Sequence, residues 1–346
     1  MGKRQSRLKS NNRGSHQQYG EGVLSNQSKQ KQLLVHKDAI KYVCPAGDGI
    51  ALSGGADQTL VMYDWKNTKL LQRWIGHERE ITKVTYSDTL QAAFSASRDK
   101  SARMWKRAEG GNTGSQPVQS YLGHGLIVTG IAVDPAGKKL CTGSRDNFVH
   151  LWDIETGDCI KQSGKTRNLV THICWVHGQL AVAQTSEDKS VRIWDTRTLQ
   201  ESILFPKKQY IQSHCDVSQD GNYVLSSSNG FNGQGCEVTL WDMRTTKLLN
   251  EYWGHEETVS ACYFLPWKES VDLIATSSMD STVKVWEQST CKCLLSFRFP
   301  GSGSLTSIAP YADGSMVVSS SETGNHILQL KKLPDGSIVR ESIGSY

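Results

Sequence analysis

The feature that most limits what this chain can fold into is a repeat. The segments SGGADQTLVMYD, SASRDKSARMWK, TGSRDNFVHLWD, TSEDKSVRIWD and SSMDSTVKVWE share one plan. Small or hydroxyl residues precede an Asp, and an aromatic residue follows it six positions later. The pairs are Asp57 and Tyr63, Asp99 and Trp105, Asp146 and Trp152, Asp188 and Trp194, and Asp280 and Trp286. A sixth copy ends VTLWD at Trp241, and a seventh, degenerate copy ends ILQLKK near Leu330. The seven anchors lie 42 to 47 residues apart, a period that four short strands fill. VHLW and VRIW alternate as strands do. An Asp followed by a small polar residue turns the chain tightly before them.

A second signal precedes several copies. It reads Gly76-His77, Gly123-His124 and Gly254-His255, with Val35-His36 in the first copy. An apolar residue follows each His at a fixed interval, at Ile40, Ile81, Val128 and Val259.

A Gly-His dipeptide, a turn Asp and a terminal Trp-Asp resemble the WD-repeat propeller family. The resemblance covers residues 30–346. It implies an all-β, seven-bladed WD40-type β-propeller, preceded by a disordered basic tail over residues 1–29. It also implies a buried hydrogen-bond chain of Trp, Ser or Thr, His and Asp in each complete blade. By position the second blade supplies Trp105, Ser97 (or Ser95), His77 and Asp99. The third supplies Trp152, Ser144, His124 and Asp146, and the sixth Trp286, Ser278, His255 and Asp280. The first copy is partial because Tyr63 stands for Trp. The fourth, fifth and seventh have Lys165-Thr166, Pro206-Lys207 and Pro300-Gly301 where Gly-His belongs. Those blades are expected to rely on packing.

His beside Asp and Ser also invites a nucleophile triad. Here the group recurs at the repeat period, which is a structural use. Such a chain satisfies buried polar groups that otherwise cost about 1–3 kcal/mol each. With no metal spacing, no nucleotide loop and no isolated acid pair, the sequence reads as a non-enzyme without cofactor or small-molecule substrate.

Ring closure has two candidates. Residues 30–35 sit just before His36 and are the preferred outer strand of the last blade. Residues 337–343 compete for the same place.

Function in a repeat fold concentrates where regularity fails. The fifth copy, SSSNGFNGQGCEVTLW, carries five extra residues and no turn Asp. Gly230, Gly233 and Gly235 suit a wide mobile loop with Phe231 inside it, on the face that bears the Gly-His loops. This is a candidate lip for a protein partner. Arg98, Arg145, Glu187 and Met279 each precede a turn Asp and should face the same surface. Residues 107–121, RAEGGNTGSQPVQSY, read as a flexible linker. On the opposite face two copies end WDTR and WDMR, giving Asp195 with Arg197 and Asp242 with Arg244. This doubled box resembles that of substrate receptors of cullin-type ubiquitin ligases, where the arginine contacts the adaptor. A local ion pair with the neighbouring Asp is the competing reading.

Charge locates a second region of interest. Net charge is +5 overall, and residues 1–20 carry five basic side chains and no acid. The remaining chain has 34 basic and 34 acidic residues, which argues against a nucleic-acid-binding body. The first ten residues contain no apolar run, so no secretory leader is expected. The nine cysteines include no CxxC pair and read as reduced cytosolic thiols.

The start, MGKRQSRLKS, fits the N-myristoylation pattern with Gly2 as acceptor and Ser6 at the position that favours the transferase. One myristoyl chain binds membranes only marginally, with K of about 10⁴ M⁻¹. Lys3, Arg4, Arg7 and Lys9 supply a second signal worth roughly 1 kcal/mol each at an anionic leaflet. Residues 11–29 form a spacer. Within the family, stretches such as GHEREITKV, LVTHICWV and SSSNGFNGQGCE resemble members linked to ciliary trafficking. The reading is a cytoplasmic interaction scaffold, tethered to an anionic membrane surface through its tail. The alternative is a receptor for a cullin-type ligase.

Overall fold

The computed structural model describes residues 35–107, 116–164, 169–268, 272–322 and 324–346. Among these residues every helix or strand element is a strand. The strands form seven four-stranded antiparallel sheets over residues 40–75, 81–122, 128–162, 170–204, 211–252, 259–298 and 305–345. The first strand of each sheet packs on the first strand of the next, and the seventh meets the first. The sheets are therefore the blades of a closed ring, with their first strands lining the centre.

Composition follows distance from that centre. The second strands, such as Ala92–Ser97, Ala181–Ser186 and Leu273–Ser278, are buried on both faces. They are rich in Ala, Ser and Thr because a neighbouring blade lies close on either side. The outer strand Cys159–Gln162 is exposed throughout. The anchor aromatics explain the repeat period. Trp105 packs with Met62 and Trp74 of the blade before it, Trp152 with Phe94 and Met104, and Trp286 with Leu240 and Tyr252. Each blade thus seals onto its predecessor through one large side chain.

A second seam runs along the inner strands. Thr171 Oγ1 donates to the Gln212 carbonyl at 2.6 Å, Ser213 Oγ to Val259 at 2.8 Å and Thr306 Oγ1 to Ile40 at 2.8 Å. Thr82 and Thr129 make the same bond to Val128 and Val170. The Thr306 bond joins the last blade to the first.

Closure differs from the preferred expectation, whose residues 30–34 lie outside the described ones. Ile338–Ser345 is the outer strand of the last blade and pairs with Asn325–Lys332, Arg340 opposite Leu330. Its hairpin closes through Leu333 N–H to Ser337 O and Gly336 N–H to Leu333 O. A short local turn costs far less closure entropy than a pairing across the whole chain. All seven blades are consequently continuous in sequence.

Candidate functional site

The buried networks form as the resemblance implied, with one systematic correction. In the second blade Trp105 Nε1 donates to Ser95 Oγ at 2.8 Å, Ser95 lies 2.7 Å from His77 Nε2, and His77 Nδ1 lies 2.7 Å from Asp99. Of the two hydroxyls offered for this blade, Ser95 and not Ser97 is the one used. In the third blade it is Thr142, not Ser144: Trp152 Nε1 and His124 Nε2 both lie 2.8 Å from Thr142 Oγ1, and His124 Nδ1 lies 2.9 Å from Asp146. In the sixth it is Thr276, not Ser278: Trp286 Nε1 at 2.9 Å and His255 Nε2 at 2.7 Å, with Asp280 at 3.0 Å from His255.

Register explains the shift. Trp152 pairs with Leu140, so Thr142 stands two residues along the strand and Ser144 four, or roughly 13 Å. Ser97, Ser144 and Ser278 do a different task. Each accepts the amide of the turn Asp two residues on, at 3.1 Å in all three blades.

The carboxylates show the effect of these bonds. Burial by itself raises Asp99, but hydrogen bonds from His77 and Ser101 outweigh it and hold the group below its usual range. Against the same burial, His124 and the backbone amides hold Asp146 down at about 2.

The first, fourth and fifth blades do not rely on packing alone. In the first, Ser53 Oγ lies 2.8 Å from His36 Nε2 and Asp57 3.1 Å from Nδ1. In the fourth, Arg192 takes the place of His: it reaches Asp188 at 2.7 Å and Glu201 at 2.8 Å, while Trp194 Nε1 bonds Gln184 Oε1 at 2.5 Å. In the fifth, Trp241 donates to Ser226 at 2.9 Å and Ser226 to Gln212 at 2.7 Å. Gln212 reaches Ser228 at 3.0 Å, and Ser228 donates to Glu237 at 3.0 Å. Lys208 closes that chain on Glu237 at 3.1 Å. Lys165 and Thr166 lie outside the described residues.

Arg98, Arg145, Glu187 and Met279 do share one face. Their amides bond the carbonyls of Glu80, Ile127, Leu169 and Thr258, on the connections that enter the same blades. The structure brings Arg145 and Glu187 together as an ion pair at 2.7 Å across two blades. Arg98 pairs separately, with Glu80 at 3.3 Å. Met279 is 48% exposed and Phe231 64% exposed.

The loop that holds Phe231 is hydrogen-bonded within itself and to the next blade. Phe231 N–H bonds Gln234 O at 2.9 Å and Gly233 N–H bonds Glu256 O at 2.8 Å. Phe231 also forms a bridge with Glu257, and Thr258 Oγ1 donates to Asn229 Oδ1 at 2.6 Å. Gly235 has φ +69, and a Cβ there would meet the Tyr210 ring at 2.3 Å. The five extra residues therefore fold back onto the next blade. Phe231 and Met279 flank the same connection, residues 255–258.

The two Trp-Asp-x-Arg boxes lie at the turns into the outer strands, on the other face. Arg197 holds Asp195 at 2.6 Å, and Arg244 holds Asp242 at 3.1 Å and lies over the Tyr223 ring at 5.5 Å. Both arginines are committed locally. Of the 107–121 stretch, Gln119–Leu122 is the outer strand of the second blade, and residues 108–115 lie outside the described ones. Gly2, Lys3, Arg4, Arg7 and Lys9 lie outside them too.

One cluster was missed by the sequence reading. Two residues past Ile40 and Ile81, the inner strands of the first two blades place Tyr42 and Lys83 beside the histidines of the fourth and fifth inner strands. Tyr42, Lys83, His172 and His214 meet there. Tyr42 Oη lies 3.1 Å from His172 Nε2, 2.9 Å from His214 Nε2 and 2.6 Å from Tyr263 Oη. The two imidazoles stack at 3.9 Å. Lys83 Nζ sits 4.1 Å from the Tyr42 ring centroid. Burial lowers both imidazoles well below their ordinary range and pulls Lys83 down to about 7. The signal was available as a fixed offset from Ile40 and Ile81.

Residues 68–106, 115–153, 157–195 and 246–287 match the family model of the WD domain, G-beta repeat. The crystal structure of the WD40 beta propeller domain of Doa1 superposes with a TM-score of 0.71, covering 83% of this chain and 91% of that one at 20% identity. The fold is a seven-bladed β-propeller of the WD40 type. Each matched span takes one outer strand and three strands of the next blade, so the sequence repeat is offset from the structural one by a strand.

Among curated proteins, the WD40-repeat propeller is 25% identical over 291 residues to nuclear distribution protein PAC1 of Arthroderma otae, covering 73% of this chain and 60% of that protein. It is 27% identical over 166 residues to pre-mRNA-processing factor 19 of Bos taurus, covering 47% of this chain and 32% of that protein. The chain thus spans 60% or less of the length of these two relatives.

Proposed function

We propose that this WD40-repeat propeller is a non-enzymatic interaction scaffold whose protein partner docks on the face carrying the His loops, with Phe231 as its anchor. The observation that carries this reading is an aromatic side chain 64% exposed on a loop hydrogen-bonded to the adjoining blade. A rigid aromatic gives up little conformational freedom on binding, and such residues dominate interface energetics. Met279 widens the apolar patch, and the Arg145–Glu187 pair supplies a polar border. The test is recovery of bound proteins by Phe231→Ala, with Met279→Ala and Arg197→Ala alongside. Loss with the first two alone supports the reading.

The tether belongs to the same proposal and rests on Gly2, Ser6 and four basic residues. Acylated protein should bind anionic vesicles less as salt rises, because screening shortens the reach of charge to about 8 Å at physiological ionic strength. Mass spectrometry of the mature first residue decides it: a 14-carbon acyl group on Gly2 supports the tether, and an acetyl group or a retained Met1 ends it.

Stretches spread along nearly the full length, from MGKRQSRLK to IATSS, also resemble WD repeat-containing protein 31. That resemblance implies a role linked to ciliary trafficking. The ligase-receptor reading asks Arg197 and Arg244, each paired with its own Asp, to contact a second protein.

A further inference from the structure

We infer that the central channel holds a binding site for a compact oxyanion, a carboxylate or phosphate-like group, centred on the ammonium of Lys83. The first observation is an unbalanced charge. Lys83 rises from the inner strand of the second blade, Ile81–Ser87, and lies over the Tyr42 ring. Among the described residues no carboxylate forms an ion pair with it. The acid nearest in sequence, Glu80, is engaged by Lys41 at 4.0 Å and Arg98 at 3.3 Å.

The groups facing Lys83 from the other blades supply little of the missing charge below about pH 7, where Asp216 is protonated. Tyr42 and Cys44 come from the first blade, His172 and Cys174 from the fourth, and Tyr263 and Cys262 from the sixth. Burial favours the neutral form of every one of them, and in Cys174 the contact with Cys215 is the larger cause. From the fifth blade, His214 is neutral for the same reason, Cys215 is buried beside His172 at 3.6 Å, and Asp216 accepts the Phe264 amide at 2.9 Å. Burial pushes Asp216 itself up to about 7.

A buried ammonium without a counter-charge has two ways to lower its free energy: it loses its proton or gains an anion. Lys83 stands between them, since its ordinary value has fallen to about 7. Its side chain is half-buried. The second observation is the set of donors beside it. The Tyr42 hydroxyl meets three partners with one proton of its own, so the Tyr42–His172–His214–Tyr263 cluster can reorient an O–H or N–H. An anion on Lys83 finds hydrogen-bond donors there as well as charge.

Because the anion binds the ammonium form, binding takes up a proton and weakens as pH rises through about 7. Sulfate keeps its charge across this range and serves as the free-ion probe. N-acetylglutamate amide presents the carboxylate of an acidic side chain. Calorimetric titration with each, at pH 6 and pH 8, is the test. Affinity should fall about tenfold between the two, following the protonated fraction. Lys83→Met should abolish binding, with circular dichroism confirming the fold. Lys83→Arg, which stays charged, should bind at both pH values with a smaller pH dependence, the remainder coming from Asp216. Tighter binding of sulfate marks a free ion as the occupant, and tighter binding of the glutamate probe marks a partner's side chain. Failure of both probes to bind the unmodified protein at pH 6 would overturn the site. So would equal binding by Lys83→Met and the unmodified protein.

Discussion

Tyr346 lies face to face on Tyr63, with ring centroids 4.0 Å apart and planes 20° apart. Tyr63 stands where the other blades carry Trp, and Tyr346 fills the space this leaves between the first and last blades. The chain is fixed there by two backbone bonds, Asn325 N–H to Tyr346 O at 2.8 Å and Tyr346 N–H to Asn325 O at 2.9 Å. The stack therefore belongs to ring closure.

Tyr346→Ala should lower stability by about 3–5 kcal/mol, as removal of a large buried aromatic does. Tyr346→Phe should keep most of it. Denaturant midpoints at constant m-value measure both. A loss within the roughly 0.5 kcal/mol of a surface change would show that the stack does not hold the ring shut.

Thr142→Val should be more damaging than Ser144→Ala. The first leaves Trp152 Nε1 and His124 Nε2 without their common partner, at about 1–3 kcal/mol for each buried group. The second removes a bond to the Asp146 amide and one to the Leu126 carbonyl, worth about 0.5–1.5 kcal/mol each. Asp57→Ala and Asp146→Ala should cost similar amounts, because His36 keeps both its Asp and its Ser. The reverse order for Thr142 and Ser144 would return the network to its sequence-based assignment.

Acid should weaken the third blade. His150 is buried, its two ring nitrogens lack partners, and it stacks on His124 at 4.0 Å. Burial, and then the charge of His124, lower His150 to about 4. The unfolded chain, near 6.5, takes up the proton first. Stability is thus complete above about pH 6.5 and falls as pH drops towards 4, by at most about 1.4 kcal/mol per pH unit for one group. His150→Phe should flatten that slope in urea melts run between pH 7 and pH 4.5. An unchanged slope would mean that other groups carry it; His77 and His255 are shifted in the same direction.

The blade count and the anchor aromatics were legible because each Trp must reach the preceding blade, which forces a constant spacing. The face shared by Arg98, Arg145 and Met279 followed from the same period. The hydroxyl was misplaced by two residues in the third and sixth blades and left open between Ser95 and Ser97 in the second, since both lie on one side of a strand and only register separates them. Closure by Ile338–Ser345 was open in the sequence because both termini offer a plausible strand, and loop length decides between them. Arg192 standing in for His was hidden because it comes from the third strand of the blade and not from the loop before it. The channel cluster was hidden because its members lie far apart in sequence, with Tyr42 and Tyr263 separated by 221 residues.

The central claim, that the partner docks on the His-loop face, is tested most directly by quantitative affinity purification. Two double variants are compared with the unmodified chain: Phe231→Ala with Met279→Ala, and Arg197→Ala with Arg244→Ala. Circular dichroism melts confirm that each remains folded. The first pair should lose the proteins that the unmodified chain retains, and the second should retain them. Full retention by the first pair together with loss by the second would place the partner on the opposite face and contradict the account.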